Sequence, residues 1–253
     1  MIHNPDAKRA PDGQYVLFYD GSSKPPAAPA GRVGVDDVDD VDDVGDTKYN
    51  PIILRQKIGL ATSSSPHGPW IRRDTPILEP TGVSGTWDQL FVTNPAGYIF
   101  PNGSALLIYK SGRSTNWPSM YMGVAFADHY GGPYRRLTAR KPLHIPSNKD
   151  CEDPGIYFDP DLHVFRMVLH CGCGTQMLWS KNGVDWVLGG PEQDSGWCTG
   201  FNYTDGKAGH LTTRQRPHFV LDQTGRATHL TTGVNRPGDG AMGHTWTMAA
   251  KLM

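Results

Sequence analysis

A short signature recurs four times along the chain and constrains its fold more than any other feature. In each copy a polar or charged residue precedes a proline, an apolar segment follows, and a turn leads into a second apolar segment. The four steps are Asn4-Pro5, Asn94-Pro95, Asp153-Pro154 and Arg216-Pro217. Pro95 and Pro154 are 59 positions apart, and Pro154 and Pro217 are 63 apart. Repetition at a nearly fixed spacing indicates stacked supersecondary units.

The first interval is longer, 90 positions, because an insertion rich in proline and aspartate lies within it. Residues 36–44 repeat the unit Asp-Asp-Val. Dense like charge with valine as the main apolar content predicts a solvated, disordered insertion at about 25–49. Calcium binding is the alternative, but the spaced glycine and the final glutamate of an EF-hand loop are missing.

A second signature follows each of the first three units. A segment of small residues meets a tight glycine turn and then an aromatic residue, as at Gly68-Pro69-Trp70 and Gly132-Pro133-Tyr134. Each unit therefore holds four short strands, and no stretch sustains the apolar period of a helix. One such sheet cannot bury both of its faces alone. We predict an all-β protein: a single β-propeller domain over residues 1–253, with about four blades of four antiparallel strands.

Composition agrees with this architecture and excludes two classes of partner. Glycine (30) and proline (21) make up about a fifth of the 253 residues, as expected for short strands joined by turns. A formal net charge of −1 argues against a nucleic acid or a membrane surface as partner. No apolar run approaches the roughly 20 residues of a membrane span. Ile2 and His3 directly follow Met1, so we expect no signal peptide.

The pairing of the four cysteines stays open at the level of sequence. Cys171 and Cys173 would share one face of a strand, so we expect no bond between these two. Cys151 and Cys198 are possible partners for them, or all four are thiols. The segment around Cys171 also resembles a soft-metal site. Because no second cluster supplies the remaining ligands, we predict neither a metal nor a cofactor.

Four segments of the chain, taken in order, carry a family resemblance. They are residues 61–70, residues 87–96, the step Glu152-Asp153-Pro154, and residues 214–218. In these segments the sequence resembles the five-bladed β-propeller glycoside hydrolases related to family 43. The resemblance covers nearly the whole chain outside the insertion. The sequence has no counterpart of the family's first blade, so we expect a ring that is open or closes irregularly.

The resemblance implies a carbohydrate partner, an oligosaccharide or a polysaccharide, bound in a pocket on the propeller axis. It also implies inverting hydrolysis there, by a general acid and a general base roughly 6.5–9.5 Å apart. A third acid adjusts the pKa of the general acid. Non-catalytic carbohydrate binding, by a pseudoenzyme or a truncated fragment, is the alternative, because only one of the three expected acids is found.

The catalytic candidates lie at the second and third steps. The resemblance places the general acid at Glu152 and puts Asn94 at the position of the modulating acid, whereas the general base has no counterpart. Asp153 is adjacent to Glu152, and alternation along a strand predicts that the two side chains point to opposite faces. Glu152 is therefore favoured for the pocket and Asp153 is the second choice. The alternative is that each of these residues only stabilises a turn at the end of its strand, through hydrogen bonds to the backbone.

Residues at the ends of the predicted inner strands are candidates for binding saccharide: His3, Asn4, Lys110, His170 and Arg216. Lys110 and Arg216 would place two cations near the axis, which suits an anionic or sulfated sugar. Ion pairing with Glu152 or Asp153 is the alternative. For His170 the alternative is a hydrogen-bonded histidine of the core.

Two glycosylation sequons, at Asn102 and Asn202, together with the resemblance favour an extracellular protein. The Asn102-Gly103 pair is also a strong signal for a hairpin turn. The sequence leaves the compartment and the oligomeric state open.

Overall fold

The computed structural model describes residues 2–22, 56–112, 120–138, 141–143, 151–171, 174–189, 200–202, 204–211, 213–235 and 245–252. The predicted insertion at about 25–49, Cys173 and Cys198 lie outside these ranges. Every regular element within them is a β-strand. None of the described residues belongs to a helix that could cross a lipid bilayer.

The strands form antiparallel sheets in chain order. The first sheet contains β1 (Ile2–Arg9), β2 (Tyr15–Ser22), β3 (Gln56–Ser63) and β4 (Ile71–Arg72). The second contains β5 (Phe91–Ile99), β6 (Ala105–Gly112), β7 (Met120–Ala127) and β8 (Arg135–Arg136). The third contains β9 (Cys151–Asp159), β10 (Val164–Cys171), β11 (Gly174–Ser180) and β12 (Val187–Leu188).

A hairpin of β13 (Gly200–Asn202) and β14 (Ala208–His210) precedes the last sheet. The described part of that sheet contains β15 (Thr213–Leu221), β16 (Ala227–Asn235) and β17 (Thr245–Lys251). The first strand of each sheet is innermost: β1 packs against β5, β5 against β9, and β9 against β15. The predicted all-β propeller of antiparallel blades, with about four blades in the chain, is therefore confirmed.

Apolar faces between neighbouring blades form the core. Phe18, Ile58 and Leu107 are fully buried between the first and second sheets. Met167 and Leu169 are fully buried between the second and third. In the described ranges β15 and β1 make no comparable contact. A cavity of about 310 Å³ lies between them instead, lined by residues of both strands and of β9.

Each inner strand carries a β-bulge at its proline step. The pairing with the second strand shifts at the same place in all four sheets, for example between His3 and Asp6 in β1. The residues before the prolines all have a left-handed backbone: φ is 45° at Asn4, 48° at Asn94, 50° at Asp153 and 50° at Arg216. Such a conformation costs a non-glycine residue of order 1–3 kcal/mol and tends to occur at functional sites. A bulge changes the direction of the side chain at which it occurs. In all four sheets it therefore reorients the polar side chain before the proline, at equivalent positions of the inner strands.

Gly155 follows the bulge in β9 and allows two inner strands to approach closely. A Cβ atom at this position would lie 2.5 Å from the carbonyl oxygen of Pro217 in β15. The neighbouring atom belongs to the backbone and cannot move aside as a flexible side chain would. The third and fourth blades can therefore meet only because residue 155 has no side chain.

Gly155→Ala should lower the free energy of unfolding by about 1–3 kcal/mol, because the added methyl group overpacks the contact with Pro217. Gly233→Ala on β16 is the matched control, since a Cβ there would have its nearest neighbour 3.7 Å away. Urea denaturation of both variants measures the difference. Equal stabilities of the two variants would contradict this account of the blade contact.

Candidate functional site

The bulges and the ends of the second strands bring polar side chains from all four sheets to the propeller axis. The second strands add Asp20 opposite His3, Lys110 opposite Thr93, and His170 opposite Glu152. We call the following residues the axial cluster: His3, Asn4, Asp20, Asn94, Lys110, Glu152, Asp153, His170 and Arg216. All eight site residues predicted from the sequence belong to it, and Asp20 is the addition.

Glu152 is held as an ionised carboxylate. The Nζ atom of Lys110 donates a hydrogen bond to its Oε2, and the Nδ1 atom of His170 lies 3.5 Å from its Oε1. Burial acts to raise the pKa of Glu152. The nearby His170 and the charge and hydrogen bond of Lys110 outweigh burial, and they lower that pKa to about 2. A general acid must hold a proton at working pH. The lowered pKa of Glu152 therefore does not favour the general-acid role that the resemblance gives to this residue.

Asp153 lies in the same cluster as Glu152, and the expectation that the two side chains point to opposite faces is wrong. The pairing of β9 with β10 is interrupted between Val168 and His170, and the left-handed backbone at Asp153 breaks the alternation. Ligand atoms of Glu152, Asp153 and His170 all lie within 4.8 Å of one another. Asn94 Nδ2 donates a hydrogen bond to Asp153 Oδ1. The bulge therefore presents two carboxyl groups to one site.

The two adjacent carboxyl groups differ in their proton affinity. Burial and the negative charge of Glu152 raise the pKa of Asp153, while the charges of Lys110, Arg216 and His170 oppose this shift. Asp153 therefore holds a proton more readily than Glu152 does. Neighbouring titratable groups whose pKa values are pushed apart are the usual arrangement for acid and base roles.

Glu152, Asp153 and His170 also have the composition of a cation site, with carboxylate and imidazole ligands. In this structure the ammonium group of Lys110 already pairs with Glu152. A metal ion would have to compete with that ammonium for the same carboxylate.

Asp20 is the member of the cluster that the sequence did not reveal. Its side chain is fully buried. It accepts a hydrogen bond of 3.4 Å from the backbone N of Asn94 and one of 3.1 Å from Gln56 Nε2. Burial raises the pKa of Asp20 and outweighs the hydrogen bond from the backbone N of Asn94, which acts to lower it. The signal that could have identified it is positional, because Asp20 lies two residues before the end of the second strand of its blade, as Lys110 does in the next blade.

Arg216 connects the last sheet to the first. Its Nε donates a hydrogen bond of 3.2 Å to Asn4 Oδ1, and its Nη2 lies 2.9 Å from His3 Nε2. The two cations predicted near the axis thus have different surroundings. Lys110 is ion-paired with Glu152, whereas the hydrogen bonds of Arg216 reach an amide oxygen and an imidazole nitrogen, neither of which carries a negative charge.

A disulfide joins Cys151 and Cys171, which lie opposite each other on β9 and β10. Of the pairings that the sequence left open, this one is present in the described residues, and it removes Cys171 as a thiolate ligand. The next pair in the same ladder is Glu152 opposite His170. The covalent link therefore fixes the two strands directly beside the ionised carboxylate.

No protein-family model and no curated protein sequence matches the chain. Solved structures do match it. The exo-β-1,3-galactanase of Phanerochaete chrysosporium, solved with β-1,3-galactotriose, is 17% identical with a TM-score of 0.59, over 98% of this chain and 46% of that one. The endo-1,5-α-L-arabinanase of Thermotoga petrophila is 16% identical with a TM-score of 0.59, over 100% and 56%. A family 43 glycoside hydrolase of Bacillus licheniformis is 15% identical with a TM-score of 0.60, over 98% and 56%.

These similarities establish the fold. It is the β-propeller of the family 43 glycoside hydrolases, the family that the sequence resembles. This chain spans about half the length of the matched proteins.

The pH dependence of stability should reveal the Glu152 ion pair. Its pKa in the folded protein, about 2, lies below its ordinary value of 4.5. The stabilisation is therefore complete above pH 4.5 and is lost as the pH falls from there towards about 2. Glu152→Gln should make the melting temperature depend less on pH across this range, because the carboxylate that gains the proton is absent.

Glu79→Gln is the control for this experiment, since Glu79 pairs with Lys57 at the surface and its side chain is 51% exposed. Its pH profile should run parallel to that of the unmodified protein. The raised pKa of Asp20 acts in the opposite direction but is common to all three proteins. Glu152→Gln also removes the charge that raises the pKa of Asp153, so the opposing contribution of Asp153 is smaller in this variant. Parallel profiles for Glu152→Gln and the unmodified protein would contradict an ionised, stabilising Glu152.

Proposed function

We propose that this propeller is a carbohydrate-active protein that binds a saccharide at the axial cluster. The observation that carries the proposal is the set of four equivalent bulges, each of which holds a strained residue and directs a polar group to the axis. The fold similarity supports it, because matched structures were solved with galactotriose and with galactose.

The chemistry of the cluster suits a polyhydroxylated ligand. Hydroxyl groups both donate and accept hydrogen bonds, and the cluster offers carboxylate and amide oxygens beside cationic donors. Glu152 remains reachable, with a side chain that is 22% exposed. A few convergent polar groups on a preformed scaffold are typical of small-molecule sites.

Hydrolysis of a glycosidic bond is the second candidate function, favoured by the opposed pKa shifts of Glu152 and Asp153. In this proposal Asp153 protonates the leaving oxygen, and Glu152 provides the ionised charge that raises the pKa of Asp153. Glu152 itself cannot be the base of an inverting pair with Asp153. Their oxygens lie within 4.8 Å of each other, whereas inverting pairs are roughly 6.5–9.5 Å apart.

Asp20 is the remaining carboxyl group of the cluster. Because its side chain is fully buried, it is poorly placed to contact a water molecule that attacks a bound saccharide. The axial cluster therefore meets the requirements of saccharide binding more completely than those of inverting catalysis, and binding is the function that we place first.

Binding is tested by removing the buried ion pair as a unit. Lys110→Gln with Glu152→Gln leaves no unpaired buried charge, so the fold should persist. The unmodified protein should bind saccharides on a panel of oligosaccharides measured by calorimetry, and the double variant should bind at least about tenfold more weakly, the loss expected for charged hydrogen bonds. Arg226→Gln, which breaks a surface ion pair with Asp161, should bind normally. A panel on which no saccharide binds would refute the proposed function.

Hydrolysis is tested with Asp153→Asn. Asparagine accepts the left-handed backbone at this position, as it does at Asn4 and Asn94. If Asp153 is the general acid, turnover of substrates with poor leaving groups should fall about 10²–10⁴-fold. Activated aryl glycosides, which need no protonation, should be affected much less. If Glu152→Gln lowers turnover of substrates with poor leaving groups and Asp153→Asn does not, the general acid is Glu152, as the resemblance implies.

A further inference from the structure

Arg216 differs from the residues at the three equivalent positions of the repeat. All four precede a proline and share the left-handed backbone. Asn94 is buried, Asn4 and Asp153 are half-buried, and Arg216 is exposed to solvent. It is also the one cation among the four.

The local backbone does not favour arginine at this position. A φ of 50° is tolerated best by glycine, and next by asparagine and aspartate, whose short side chains bond locally. Asparagine or aspartate stands at the other three steps. The chain therefore keeps a long cationic side chain where the backbone conformation would be less strained with a short polar one, which points to a role for the guanidinium itself.

The guanidinium is held in a fixed orientation by the first strand of the propeller. It has five N–H donors, and its bonds to Asn4 and His3 use Nε and Nη2. Because a guanidinium only donates, Nε2 of His3 is the acceptor of this hydrogen bond. The Nη1 nitrogen takes part in neither bond. Arg216 thus presents an oriented donor edge whose charge neither bonded partner neutralises.

The neighbouring carboxyl groups do not cancel this charge. Glu152 is already paired with Lys110. Asp153 interacts electrostatically with Arg216, but burial and the charge of Glu152 raise the pKa of Asp153 and favour its neutral form. An anion bound at Arg216 therefore meets less repulsion than two unpaired carboxylates would exert.

We propose that Arg216, oriented by Asn4 and His3, is the anion-recognising group of the axial cluster, and that the saccharide bound there is anionic. This inference rests on the proposed carbohydrate-binding function and specifies its substrate class. The anionic group is a carboxylate, as in a uronic acid, or a sulfate ester. Both present coplanar pairs of oxygen atoms that match the donors of a guanidinium.

Two matched pairs of oligosaccharides test the substrate class by calorimetry. The first pair is an oligogalacturonate and its carboxyl-reduced form, and the second is a sulfated carrageenan oligosaccharide and its desulfated form. The unmodified protein should bind at least one anionic member about tenfold or more tightly than its neutral counterpart, as expected for charge-assisted hydrogen bonds. The pair that shows the preference distinguishes a carboxylate from a sulfate.

Arg216→Asn removes the charge while keeping a residue that suits the backbone, so this variant should fold. Its affinity for the preferred anionic member should fall about 10- to 100-fold, with a change of less than about threefold for the neutral one. Added salt should weaken binding of the anion to the unmodified protein more than to the variant. A purely structural role of Arg216 would weaken binding of both members alike. Arg226→Asn, at an exposed arginine paired with Asp161, is the control and should behave like the unmodified protein.

The outcomes separate this inference from the function on which it rests. Equal or tighter binding of the neutral members overturns the anionic substrate class and leaves carbohydrate binding intact. The same conclusion follows if Arg216→Asn retains the full preference for the anion. If no saccharide binds, charged or neutral, the proposed function itself fails.

Discussion

The axial cluster depends on one backbone feature, the left-handed bulge before each inner-strand proline. Proline has no N–H to give to the ladder, so the pairing with the second strand must be interrupted there. The bulge accommodates this interruption and turns the preceding side chain towards the axis in all four sheets. With regular alternation, Glu152 and Asp153 would point to opposite faces and the site would contain one carboxyl group fewer.

The chemistry of the cluster follows from how its cations are distributed. Lys110 comes from the second sheet and keeps Glu152 of the third ionised. The charge of Glu152, together with burial, raises the pKa of Asp153. Arg216, from the fourth sheet, is oriented by two partners of the first that carry no negative charge. Lys110 thus controls the protonation of the carboxyl groups inside the cluster, and Arg216 presents its positive charge at the edge of the cluster. Both effects arise from contacts between blades, so the site exists only when the blades are assembled.

Two further features hold this arrangement in place. The Cys151–Cys171 disulfide fixes β9 to β10 next to the pair formed by Glu152 and His170. Gly155 allows the backbone of β15 to approach β9 one position after the bulge, and this contact brings the fourth blade up to the third. The covalent link and the missing side chain act on either side of Asp153, whose pKa is raised by burial and by the charge of Glu152.

The sequence by itself determined the blades and the neighbourhood of the site. Turn residues, apolar segments and proline steps are local signals, and their repetition is enough to place Asn94, Asp153 and Arg216 at equivalent positions of successive blades. Only the tertiary structure decided which way the side chains point, which cysteines pair and which carboxyl group is ionised. The direction of Asp153 depends on a backbone dihedral angle that alternation does not describe. The pKa of Glu152 depends on Lys110, 42 positions away in sequence and in contact only after folding. Asp20 was missed for the same reason, because its importance comes from contacts with another blade and not from a motif.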